Sequence, residues 1–253
     1  MQTTSSINPH SLALPFVGRR KEVARLERLH AARQHALILG PAGVGKTALI
    51  HQAARRLPLL VCPQSVRLSE LVGALENQLG LEAGKQHLIP RKNRVLRALA
   101  GKQRTVVFDG VGWTTPRLSS FLECVMERAA VWMVTRSEHS WDIGHVWPRL
   151  GHFERVELHP FHPAETRELV AAAVAAGQIP GEALNIVEWL QRRSNGSPLV
   201  LRELLEELAT GRYDLSNPHA LKLLDLDRRI HEIFPANQES AGLTKKNHDK
   251  KYN

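Results

Sequence analysis

The sequence predicts an α/β fold in which a five-stranded parallel sheet carries helices on both faces and leads into a small all-helical unit. Three observations carry that prediction. Up to residue 159, short apolar runs rich in β-favouring residues alternate with segments of helical periodicity. The first such run leads directly into a glycine-rich loop and then a helix. Beyond residue 160, amphipathic helical patterns follow one another with no strand between them.

Taken in order, residues 1–14 read as a flexible arm. Phe16-Val17-Gly18-Arg19 is a turn running into an amphipathic helix with Val23, Leu26 and Leu29 on one face. His35 to Leu39 is a short buried strand. It enters Gly40-Pro41-Ala42-Gly43-Val44-Gly45-Lys46-Thr47, which fits G-x-x-x-x-G-K-[ST] at every fixed position. Glycines let such a loop fold into a concave nest of N–H groups, and Ala48 onward opens a helix whose N-terminus adds partial positive charge. This pattern implies a nucleoside triphosphate site. Lys46 would reach the β- and γ-phosphates, and Thr47 would hold Mg²⁺.

Pro58 to Cys62 reads as a second strand, and Ser69 to Leu79 as a helix stopped by Gly80. Lys85 to Arg104 holds seven Lys or Arg and no acid, with helical spacing at its centre and Val95, Leu96 and Leu99 facing inward. Two readings of this strip stay open: a solvated helix face, or a surface that contacts the phosphates of double-stranded DNA. Thr105 to Asp109 is a buried strand with an acid at its C-terminal edge, where phosphate-loop enzymes place a Mg²⁺-organising aspartate. Gly110 follows it. No acid directly follows Asp109, and Glu123, Glu127 and Glu138 stay open as the carboxylate that would activate water. Slow hydrolysis is expected.

Ser119 to Arg128 reads as a helix and Val131 to Val134 as the fourth strand, ending in Thr135-Arg136-Ser137. Arg136 at that strand edge is placed to reach a γ-phosphate with its planar fork of donors. Trp141 to Trp147 is an aromatic loop, and Phe153 to Leu158 alternates as an edge strand should. Residues 15–159 thus form the nucleotide-binding core. Residues 160–234 form a helical lid, with helices over Pro163 to Ala176, Glu182 to Arg193, Pro198 to Thr210 and a last short one near the end. Residues 235–253 make a basic tail expected to be disordered.

Several of these segments resemble the STAND and Orc/Cdc6-like branches of the AAA+ superfamily. Phe16-Val17-Gly18-Arg19 is similar to the entry motif that lies against adenine in those families; Arg20 departs from it, since an acid is usual there. Thr135-Arg136 resembles their γ-phosphate sensor. Leu158 to Phe161 followed by Glu165 to Val170 resembles their lid entry. Asn195-Gly196-Ser197-Pro198 is similar to the STAND lid motif whose proline touches nucleotide, although Leu199 stands where a lid arginine is usual. The resemblance implies a P-loop NTPase three-layer αβα sandwich with strand order 5-1-4-3-2. It also implies ATP/ADP with Mg²⁺ as ligands and an ATP-dependent switch. The alternatives are a DNA-associated helper ATPase and a nucleotide-binding scaffold without hydrolysis. A protein partner or homo-oligomer is also open, with Arg128 and Arg149 as candidates for an arginine acting in trans.

The net charge of +9 favours an anionic partner. Two cysteines in apolar surroundings predict reduced core residues of a cytoplasmic protein. The polar start predicts no secretory signal, and no run is apolar enough to predict a membrane span. The thirteen histidines lack metal-ligand spacing.

Overall fold

The structure, a computed structural model, describes residues 12–63, 67–82, 87–101, 103–110, 112–137 and 139–233. Five strands form one parallel sheet: β1 (Ala36–Leu39), β2 (Leu59–Cys62), β3 (Thr105–Phe108), β4 (Ala130–Val134) and β5 (Glu154–Glu157). Their spatial order is β2-β3-β4-β1-β5, the order implied by the resemblance. Each strand is short and all but β5 are largely buried, which is why they read as apolar runs; only Val156 of β5 is buried, as befits an edge.

Side chains alternate between two faces. Leu37, Leu60, Cys62, Val106, Phe108, Val131 and Met133 enter one core, covered by α3 (Leu68–Leu79), α4 (Leu88–Leu99) and α5 (Pro116–Met126). Ala36, Ile38, Val107, Trp132, Val134 and Val156 enter the other, covered by α1 (Arg20–Ala31) and α2 (Lys46–Ala54). The result is the three-layer sandwich. A third core belongs to the lid: α7 (Pro163–Ala175), α8 (Val187–Ser194), α9 (Pro198–Ala209) and α10 (Pro218–Ile233), packed through Leu169, Val170, Leu190, Leu201, Leu204 and Leu224.

Four local outcomes differ from the sequence expectation. α5 begins three residues early because Thr115 caps it, accepting from Leu118 N–H, and Pro116 fits the first turn. The aromatic loop contains a short helix, α6 (Ser140–Ile143), and a 3-10 turn over Trp147–His152; a bridge from Thr114 to Gly144 ties it down. The helix expected from Glu182 is a 3-10 turn over Gly181–Ile186 that continues as α8. In the segment read as a flexible arm, Leu12 and Leu14 pack against the lid core, and Ala13 C=O accepts from Gln178. Residues 1–11 and the tail from 234 lie outside the described residues.

Candidate functional site

The glycine-rich loop spans the step from β1 to α2. Gly43 and Gly45 have φ of 75° and 96°, a left-handed backbone that favours glycine. Gly45 is the N-cap of α2, so the free N–H groups of the first helical turn open onto the loop. Lys46 folds over this mouth, its ammonium donating to Gly40 O at 2.6 Å and to Pro41 O at 2.8 Å. Thr47 and Ala48 are exposed beside it, and Val44 is buried beneath.

Sheet order brings in the other charged residues. β4 lies between β1 and β3, so the chain leaving β4 stands between the loop and Asp109. Asp109 continues β3 by donating its N–H to Cys62 O, and Thr135 continues β4 by donating to Ile38 O. Thr135 Oγ1 then donates to Ser137 O at 2.8 Å, which turns the chain sharply and leaves the Arg136 side chain exposed. Lys46 feels both charges. Its ammonium is held below the usual lysine range, first by burial and then by Arg136, with the Asp109 carboxylate acting in the opposite sense. The neighbouring ends of β1, β4 and β3 thus bring Lys46, Arg136 and Asp109 to one edge of the sheet.

The lid reaches the same loop. Leu199, in the first turn of α9, donates its N–H to Gly43 O at 3.1 Å. A Cβ on Gly43 would stand 2.9 Å from Leu199 Cβ, and one on Gly45 would stand 4.0 Å from Pro198 Cγ. Ser197 caps α9 by accepting from Val200 N–H, and Pro198 occupies the first turn. The Asn195–Pro198 motif thus meets the phosphate loop directly.

The Phe16–Arg19 turn joins core and lid. Phe16 packs on the sheet core and Val17 on the lid core. Gly18 has φ of 65°, and a Cβ there would meet Glu165 of α7. Arg19 is the N-cap of α1 in a left-handed conformation, φ 57°. Its guanidinium is buried and donates to Val44 O and to His159 O, and it lies over the Phe161 ring at 5.1 Å. Sequence reasoning missed His159, Phe161 and the Val44 carbonyl as partners of Arg19. Backbone acceptors leave no mark on residue identity.

Of the acids considered as a substitute base, two lie toward the end of α5, which leads into the start of β4 and away from the strand ends that carry Asp109 and Arg136. Glu123 pairs with Arg149 at 3.2 Å, and Glu127 with Arg128 at 2.9 Å. Glu138 lies outside the described residues. Both arginines considered for a role in trans are thus held in ion pairs of their own chain.

The basic strip is not the free array that its composition suggests. Arg91 donates to Glu76 Oε2 from Nε at 2.9 Å and from Nη2 at 2.6 Å, while Arg94 donates to Oε1 at 2.7 Å. Glu76 is fully buried on α3. Lys92 lies over the Phe121 ring at 5.6 Å. Lys85 and Lys102 lie outside the described residues, leaving Arg97 and Arg104 as the strip's remaining described cations.

A phosphate loop after the first strand, an acid after the third, an arginine after the fourth and a docked helical lid define a P-loop ATPase with a lid. The chain belongs to the AAA ATPase domain family, whose model matches residues 15–215. Among solved structures it is similar to the Aeropyrum pernix Orc1 protein in complex with DNA, with a TM-score of 0.64 and 16% identity over 87% of this chain and 68% of that one. Cdc6p from Pyrobaculum aerophilum gives a TM-score of 0.62 at 12% identity, over 81% of this chain and 66% of that one. A STAND protein with a tetratricopeptide repeat sensor from Pyrococcus horikoshii gives 0.52 at 16% identity, over 87% of this chain but only 34% of that one. Likeness at these identities is of fold. Among curated proteins no match was found. Among the described residues, no helix is long and apolar enough to cross a membrane.

Proposed function

We propose that this ATPase works as an ATP-dependent switch with slow hydrolysis, its nucleotide held between the phosphate loop and the lid. The observation that carries this reading is the Leu199 N–H to Gly43 O hydrogen bond: the lid's third long helix is seated on the loop that would hold the phosphates. A change in the loop on binding or losing nucleotide is then felt by the lid.

In this reading the Gly40–Thr47 backbone cradles the phosphates and Lys46 neutralises them, exchanging its carbonyl partners for phosphate oxygens. Arg136 reports the γ-phosphate. Phe16 to Gly18 and Pro198 flank the nucleoside. Mg²⁺ fits the donors present, since it prefers a few oxygen ligands together with phosphate and Thr47 and Asp109 offer a hydroxyl and a carboxylate. Bound there, it would neutralise charge between the β- and γ-phosphates. Among the described residues no group of three or more His, Cys, Asp or Glu is placed to hold a metal ion unaided.

The chain after β3 supports slow turnover. Gly110 supplies no carboxylate, and Glu123 and Glu127 are paired with arginines. Loss of a general base costs about two to four orders of magnitude in rate. The DNA-associated reading draws on the net charge of +9 and on the likeness to Orc1 bound to DNA, but loses Arg91 and Arg94 to Glu76.

The test is ATP binding and single-turnover hydrolysis by the purified protein, with and without duplex DNA, using Lys46→Ala as blank. Tight binding with slow turnover is expected. Turnover above about 1 s⁻¹, the range of ordinary enzymes, would overturn the slow switch, and turnover raised by DNA would favour the helper ATPase.

A further inference from the structure

We infer that Arg19 serves the phosphates rather than the base: it orients the Val44–Gly45 peptide of the phosphate loop and ties that peptide to the lid. The inference rests on the nucleotide-binding reading above and assigns Arg19 a role within it as a positioning residue.

Both terminal nitrogens of the guanidinium are bonded within the protein. Nη2 donates to Val44 O at 3.4 Å and also to His159 O, and Nη1 donates to Glu22 Oε1 at 3.4 Å. The guanidinium's central carbon lies over the Phe161 ring, 5.1 Å from the centroid. The side chain is 6% exposed. A buried group with both terminal nitrogens bonded inside the protein presents little of its donor edge to an adenine or guanine. Its backbone also sits in the left-handed region at φ 57°, which is unfavourable for a non-glycine residue. A side chain locked to its own helix and to two other segments, the phosphate loop and residues 159–161, holds such a conformation in place.

What the lock achieves follows from peptide geometry. In a planar trans peptide the N–H points opposite to the C=O. Holding Val44 O toward Arg19 therefore turns Gly45 N–H away from it. Gly45 N–H has no hydrogen-bond partner among the described residues. The preceding carbonyl, Gly43 O, is held from outside by Leu199 N–H of the lid. Two consecutive loop carbonyls are thus fixed from behind; Val44 N–H donates within the loop to Pro41 O at 3.5 Å, and Gly45 N–H is the one this arrangement leaves open to an anion. The two anchors are also connected. Phe161, under the Arg19 guanidinium, donates its N–H to Gly196 O at 2.7 Å, and Gly196 leads through Ser197 and Pro198 to Leu199. The circuit runs from Val44 through Arg19, Phe161 and Gly196 back to Gly43.

The experiment measures affinities of wild type, Arg19→Gln and Arg19→Lys for ATP, GTP and inorganic tripolyphosphate, with thermal stability recorded for each. The inference expects all three ligands to weaken by a common factor of about ten to a hundred, the scale of a hydrogen bond from a charged group, with the ATP-to-GTP ratio unchanged. Lysine should rescue little, because a single ammonium cannot fork between Val44 O and His159 O. A changed ATP-to-GTP ratio with tripolyphosphate affinity intact would make Arg19 a base reader and overturn the inference. So would a lowered melting temperature with unchanged affinities, which would make Arg19 a folding residue only. Should Arg19→Gln fail to fold, Arg19→Lys carries the comparison. A wild type that binds none of the three would overturn the nucleotide reading itself, and the inference with it.

Discussion

Glu76 is a carboxylate with no solvent exposure, held from both oxygens by arginines that are one-fifth to about one-quarter exposed. Removing one partner of a buried pair leaves the other uncompensated, at about 3–5 kcal/mol when both are dry; partial exposure of Arg91 and Arg94 lowers this to about 2–3 kcal/mol. Glu76→Gln should therefore lower the melting temperature at pH 7 by about 5–10 °C. The effect should depend on pH. The Arg91 hydrogen bond, aided by Arg94 and opposed by burial, holds the carboxyl below its ordinary value of 4.5. A folded-state value below the unfolded one gives stability that is present above pH 4.5 and lost as pH falls through the folded value. Melting curves from pH 7 down to pH 3 should show wild type and variant converging at the acid end; a gap of constant size would mean that charge at Glu76 is irrelevant. Cys62 gives a second expectation at this scale. Burial pushes its thiol up to about 12, so a thiol reagent at pH 8 should modify Cys124 in the folded protein and spare Cys62 until it unfolds. Reaction of both at equal rates in the native state would contradict the buried placement of β2.

At the scale of elements, the turn before α9 is where the lid is most tightly specified. Gly196 has φ of 69°, and a Cβ there would lie 2.5 Å from Phe161 O and 3.1 Å from Phe161 N. Gly196→Ala must open the Phe161–Gly196 pairing and adopt a strained backbone. Gly177 supplies the control, since its φ is 66° but nothing lies within 4 Å of its Cβ. Gly177→Ala should cost about 1–2 kcal/mol, the conformational penalty alone. Gly196→Ala should cost clearly more and weaken ATP binding as well, and denaturant midpoints that fell equally would remove the close contact from the account. Much of this architecture was legible. Parallel strands buried on both faces read as apolar runs, and Gly40–Thr47 announced its loop because glycine and lysine spacing is itself the chemistry. Glu76 was legible in principle, because it follows Val72 by four residues on the apolar stripe of α3, where an acid calls for a partner. The role of Arg19 was not. Its acceptors are carbonyls of Val44 and His159, and which way a carbonyl points is set by the fold, not by the residue that bears it.

The whole molecule turns on whether the lid and the phosphate loop act as one body. Three connections cross between them or beside them: Leu199 N–H to Gly43 O, Arg19 to Val44 O and His159 O, and the Phe161–Gly196 pair. The lid core has its own hydrophobic cluster, reached from the N-terminal turn by Val17, so it can hold its internal structure while its seat on the loop changes. That separates two kinds of response to nucleotide. If binding only fills the loop, amide hydrogen exchange should slow in residues 40–48 alone. If nucleotide clamps the lid, exchange should also slow across 158–162 and 194–200, the segments carrying these connections, while the interior of α8 changes little because its packing is internal to the lid. The clamp predicts the second pattern with a non-hydrolysable ATP analogue, weaker protection with ADP, and none in Lys46→Ala. Protection confined to the loop would leave the nucleotide site standing and remove the lid from the switch.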